Sequence, residues 1–139
     1  MEEINVLDEL SKGACMGMDA IKFILDKVED EKFHKELENQ YNQYKAISEK
    51  IEKLYPSDKE PHETSLMNKA MTWYGIEMKT LTDKSTSKIA ELLMQGTNMG
   101  IIEGRRLLNH KNSTEEVNKL VQEYVEMQER DVEMLKNYL

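Results

Sequence analysis

The chain is poor in the residues that staple, break or span. Of its 139 residues one is cysteine and two are proline. One cysteine excludes a disulfide framework and any multi-thiolate metal site within a single chain. No apolar run reaches the roughly 18 residues that read as a membrane-crossing helix. Basic residues are outnumbered, 19 against 27, leaving a net charge of -8. A chain of that sign has no general means of displacing counterions from phosphates, so no nucleic-acid partner is expected. The start, Met1-Glu2-Glu3, lacks the basic and apolar stretches of a signal peptide, and the expected address is cytoplasmic. There is no phosphate loop, no Gly-x-Ser-x-Gly elbow and no dinucleotide fingerprint. No cofactor is called for, and the expectation is a protein that is not an enzyme.

What is present is helical periodicity. Apolar residues recur at three and four, and no period-two strand interrupts them. The clearest break is the stretch from Tyr55 to Pro61, which holds both prolines. A first helix from about Ile4 to Val28 turns Leu7, Leu10, Ala14, Gly17, Ile21, Ile24 and Val28 inward. Asp30 can cap a second, carrying Phe33, Leu37, Tyr41, Tyr44, Ile47, Ile51 and Leu54. A third, from about Glu63 to Leu81, offers Leu66, Met67, Ala70, Met71, Tyr74, Met78 and Leu81, with Trp73 beside them. Ser85, Thr86 and Ser87 supply capping hydroxyls for a fourth, with Ile89, Leu93, Thr97, Gly100, Gly104 and Leu107 inward. Ser113 and Glu116 read as a capping box for a fifth, with Val117, Leu120, Tyr124, Met127, Met134 and Leu135 inward.

A shift of 83 residues lays the chain partly on itself: Leu10 on Leu93, Gly13 on Gly96, Met16 on Met99, Gly17 on Gly100, Tyr41 on Tyr124. The shared Gly-x-x-Met-Gly carries most weight, because glycine inside a helix is disfavoured by about 1 kcal/mol relative to alanine. Two helical hairpins follow, at about 4–55 and 86–138, within a single domain over 1–139. The linker between them contains a helix at about 62–82, some 28 Å long at 1.5 Å per residue, so the second hairpin starts at the same end as the first. The long helices then run up-down-down-up.

With Asn5 to Leu10 opening the first helix, two matched Gly-x-x-Met-Gly segments, a crossover helix and the closing Glu133-Met134-Leu135-Lys136, the chain resembles the ferritin-like superfamily. It is most similar to short, uncharacterised bacterial members. The resemblance implies an all-α, ferritin-like four-helix bundle with an added crossover helix, and a setting in a sporulating or stressed bacterium. Metal-binding members place a Glu on each of two helices and Glu-x-x-His on each of the others. The inward stripes here hold no such set. Glu31 to His34 is the one Glu-x-x-His, and it sits at a helix start without a symmetric mate. His62 and His110 fall in or beside loops. The resemblance thus implies the scaffold without its metals.

Five of six glycines lie on two strips spaced by four, which share a helix face. Gly13, Met16, Gly17, Gly96, Met99, Gly100 and Gly104, with Tyr41, Tyr44, Tyr124 and Met127, form the candidate site. Three readings stay open: close helix packing, a pocket for a small molecule or fatty chain, and a strip facing another copy in a homo-oligomer. The leading expectation is a metal-free, non-catalytic bundle protein acting by packing or association. A small-molecule or lipid-like binding module comes second, and a metal-dependent oxidase with atypical ligands third. Methionine thioethers can take Cu(I), but ten of them at core spacing read as core. Cys15 reads as a buried or partly buried inert thiol, and Asp19 and Glu103 as exposed acids flanking the strips.

Overall fold

A computed structural model of the chain describes residues 2–55, 69–110 and 113–139, with backbone alone at 2–4 and 69–73. The described residues form five α-helices and no strand: α1 (Glu2–Leu25), α2 (Glu31–Leu54), α3 (Lys69–Lys79), α4 (Thr86–His110) and α5 (Glu115–Lys136). The architecture is all-α, as the periodicity requires. Residues 56–61, His62, Leu66 and Met67, and the side chains of Ala70, Met71 and Trp73, lie outside the described residues.

Local chemistry sets the helix ends. The Asp30 carboxylate accepts the Phe33 N–H at 2.8 Å, satisfying one of the donors a helix start leaves over. Ser85 Oγ does the same for the Lys88 N–H at 3.3 Å. α5 departs from the expected capping box. Its N-cap is Thr114, whose hydroxyl accepts the Val117 N–H, while the Ser113 hydroxyl is buried with no partner. α2 stops at Leu54, and Tyr55 is extended at ψ 143°, the conformation forced on a residue preceding proline.

Side-chain contacts fix the helix directions. α1 and α2 are antiparallel: the Tyr55 hydroxyl donates to the Asp8 carboxylate, and farther along Gly17 lies against Tyr44. α2 and α5 are antiparallel too. Phe33 stacks on Tyr138 at 4.5 Å between centroids, Gln40 reaches the Asp131 carbonyl, Gln128 reaches Tyr44, and Lys50 pairs with Glu123. α4 and α5 run opposite ways, with Gly100 against Gln128 and Gly104 against Val125. α1 packs along α2 and α4 along α5, whereas α1 and α4 meet more sparsely, with α3 touching both.

Burial follows two registers. Val6, Leu7, Leu10, Ala14, Ile21 and Ile24 are buried, as are the residues 83 farther on: Ile89, Ala90, Leu93, Thr97, Gly104 and Leu107. In the second helices the match comes 84 farther on. Phe33, Leu37, Gln40, Tyr44, Ile47 and Ile51 correspond to Val117, Val121, Tyr124, Gln128, Asp131 and Leu135, all buried. The gapless shift therefore fails for α2 and α5. One residue turns a helix by about 100°, so Gln40, not Tyr41, occupies the inward place on α2. On α5, Val121 and Gln128 are inward where only their neighbours were expected, Asp131 and not Arg130 is buried, and Met134 is 41% exposed.

Candidate functional site

The sparse contact between α1 and α4 leaves a cleft of about 420 Å³ at mid-bundle. Its construction begins with the glycines. A Cβ at Gly13 would fall on the Tyr124 hydroxyl, and one at Gly104 on Val125, with Tyr124 also within 3.7 Å. One step along, a Cβ at Gly17 would come within 2.6 Å of the Tyr44 ring, and one at Gly100 would fall on the Gln128 amide. Farther on, Gly96 lies against Tyr74. The strips thus admit large side chains from α2, α3 and α5, where close approach of α1 to α4 was one expectation. Within the chain they face these interior groups.

Tyr124, Gln128, Tyr44 and Tyr74 line the cleft from beneath. Tyr44 and Tyr124 meet edge-on at 6.4 Å between centroids, and Gln128 Nε2 donates to the Tyr44 hydroxyl at 3.2 Å. The other end of that amide, Oε1, is buried and has no partner. Thr97 turns its hydroxyl onto the Leu93 carbonyl of its own helix at 2.8 Å. Leu10, Ala20, Ile21, Leu93 and Leu107 complete an apolar lining, with Met16, Met99 and Ile102 also on it. Glu9 paired with Lys12 at 3.3 Å, and Glu103 paired with Arg106 at 2.9 Å, belong to it as well.

The floor is a low-dielectric place. Burial pushes the Tyr44 hydroxyl up to about 12, with the Asp131 charge adding to it and bonds from Gln128 and Thr97 opposing. Burial likewise raises Tyr124, helped by Tyr44 and Glu103, and raises Tyr74. All three phenols therefore stay neutral at physiological pH. Below the floor, Asp131 is 1% exposed and its Oδ2 has no partner. Burial pushes its carboxyl up to about 7, Glu36 adds to the rise, and Arg130 opposes it.

Nine of the eleven residues singled out from the sequence line this cleft: Gly13, Met16, Gly17, Tyr44, Gly96, Met99, Gly100, Gly104 and Tyr124. Tyr41 and Met127 do not. Tyr41 is half-buried against the core, one position off the inward stripe, and Met127 is buried one position before Gln128. Gln40, Tyr74, Thr97 and Gln128 complete the polar lining and were not singled out as site residues. Gln128 was legible only through its spacing of four from Tyr124; polarity argued against placing it inside.

The other candidates scatter. Cys15 is exposed, against the expectation of a buried thiol, because it falls between the inward positions Ala14 and Gly17. Asp19 is exposed, and Glu103 is half-exposed on the cleft. His34 lies 3.0 Å from Glu38 near the start of α2, and His110 is exposed at the end of α4. Among the described residues no three of His, Cys, Asp and Glu are placed to hold a metal ion, and no helix is long and apolar enough to cross a membrane. No family model, curated protein or solved structure matches the chain.

Proposed function

We propose that this chain is a small-molecule binding protein, with the cleft between α1 and α4 as its site, built on a ferritin-like scaffold of two related hairpins. The observation that carries the reading is Gln128: an amide 2% exposed, bonded at one end to Tyr44 and unbonded at the other, on the floor of a 420 Å³ cleft. A buried polar atom without a partner costs about 1–3 kcal/mol, a cost that a ligand's donor would remove. Ligand sites are concave and mostly apolar, with a few placed polar groups, in volumes of about 300–1,000 Å³. The cleft matches that description. Packing or association, the leading expectation from sequence, leaves such a space unexplained.

The scaffold reading is supported by the antiparallel pairs, which set α1 and α5 in one sense and α2 and α4 in the other. That order is up-down-down-up, with α3 between the hairpins. The paired burial registers support a repeat with one residue added between α4 and α5. In this reading the tyrosines, methionines and Gln128 stand where metal-binding relatives of that fold keep carboxylates and imidazoles, and no catalytic step is assigned.

N-phenyl-1-naphthylamine, a neutral apolar fluorophore, tests the site. It is expected to bind saturably at one site per chain. Ala20→Leu, which extends a side chain into the lining, should weaken binding at least fivefold without lowering stability. Non-saturable fluorescence, or binding indifferent to Ala20→Leu, would reject the cleft as a site.

A further inference from the structure

The chemistry of the cleft narrows what it takes. We infer that its ligand is an uncharged, mainly apolar molecule bearing a hydrogen-bond-donating head, a hydroxyl foremost, which bonds to Oε1 of Gln128. The inference rests on the cleft being a binding site and specifies the class of occupant.

Three observations lead to it. First, the unbonded atom is an acceptor. Gln128 Nε2 donates to the Tyr44 hydroxyl and Gln128 also bonds Tyr124, whereas its Oε1 bonds nothing, and a carbonyl oxygen calls for a donor. Oε1 is buried in a residue that lines the cleft, and the terminal torsion of a glutamine amide is broad and soft, which lets the amide turn toward a head group there. Second, the floor holds no charge to receive an ion. Its groups are phenols, the amides of Gln40 and Gln128 and the Thr97 hydroxyl, and the phenols stay neutral. The cations on the lining, Lys12 and Arg106, are each already paired with a carboxylate, Glu9 and Glu103. A buried ion without a partner is costly. Third, the nearest acids oppose a further negative charge. Glu103, on the lining, and Asp131, in the fraction that is ionised, push Tyr124 and Tyr44 respectively further from ionising. A carboxylate head would meet the same field. The fatty-chain occupant expected from sequence is thereby narrowed to an alcohol, not an acid.

Displacement of N-phenyl-1-naphthylamine by four eight-carbon compounds tests this on the full chain: 1-octanol, methyl octyl ether, octanoate and octylammonium. The alcohol is expected to bind about three- to tenfold tighter than the ether, the range of one net hydrogen bond, and tighter than either ion. In Gln128→Met, similar in length but without the carbonyl, the alcohol-to-ether ratio should fall to about one. Equal binding of alcohol and ether by the native chain, or preference for octanoate or octylammonium, would overturn the inference while leaving the cleft as a site. A folded Gln128→Met that keeps the native ratio would overturn the role of Gln128. Should that variant not fold, the native ranking decides alone. If the fluorophore itself finds no saturable site, the cleft reading falls and the inference with it.

Discussion

Two glycines in helices behave in opposite ways here. Gly17 has the Tyr44 ring within 2.6 Å of where a Cβ would stand, and that ring is buried and bonded to Gln128. Gly75 has nothing within 4 Å. Gly75→Ala therefore keeps the gain from reduced unfolded-chain entropy, about 0.4–1 kcal/mol. Gly17→Ala sets that gain against overpacking, which costs about 1–3 kcal/mol. Urea titration should show Gly75→Ala more stable than the native chain and Gly17→Ala less stable. The sequence puts Gly17 on a strip and Gly75 off it, but what a glycine admits is decided by another element. The same holds for Gln128. Its spacing from Tyr124 puts it on the inward face, but only the approach of Tyr44 from α2 explains an amide there.

At the scale of the helix, most was legible. Helix starts are local: a side-chain oxygen and a backbone N–H three residues on suffice. Asp30 was read correctly as a cap for that reason. α5 presents two adjacent hydroxyls, Ser113 and Thr114, and both can cap in principle. Packing chooses Thr114, since starting there turns Val117, Val121, Tyr124 and Gln128 onto the core together. Thr114→Ala should cost about 1 kcal/mol of stability, the usual loss of an N-cap. Ser113→Ala should be neutral or slightly stabilising, because it removes a buried hydroxyl with no partner. Thermal melts of the two variants distinguish the caps; the reverse order would restore the capping box.

At the scale of the molecule, one carboxyl among the described residues is buried, and its titration reports on the packing of the two hairpins. Asp131 on α5 lies under Gln40 of α2, with Glu36 adding negative charge and Arg130 opposing it. Its folded value of about 7 lies above the ordinary 3.8, so the folded state favours the protonated form. The sign follows directly. Below about pH 4 the group is protonated in both states and costs nothing. As pH rises from about 4 to 7 the unfolded chain ionises and the folded one resists, so stability falls. Above about 7 the full penalty, on the order of 4 kcal/mol, persists. Asp131→Asn should gain stability relative to the native chain above pH 7 and lose that advantage below pH 4, as urea melts across this range would show. A constant difference between the two chains at every pH would refute the assignment.

Local pattern alone fixed that the described residues are helical, about where α1, α2, α4 and α5 lie, and which apolar stripe α1 and α4 bury. Those properties follow from a 3.6-residue period, capping chemistry and proline, all of which act within a few residues of chain. It also marked nine residues that line the cleft, because glycine spaced by four in a helix is costly and rarely idle. Only the tertiary structure decided what the glycines admit, that Gln40 and not Tyr41 faces inward, and that an amide and a carboxyl are buried at mid-bundle. The reason is physical: a shift of one residue turns a side chain by about 100°, and the choice between neighbouring residues is made by the surface of the opposing helix.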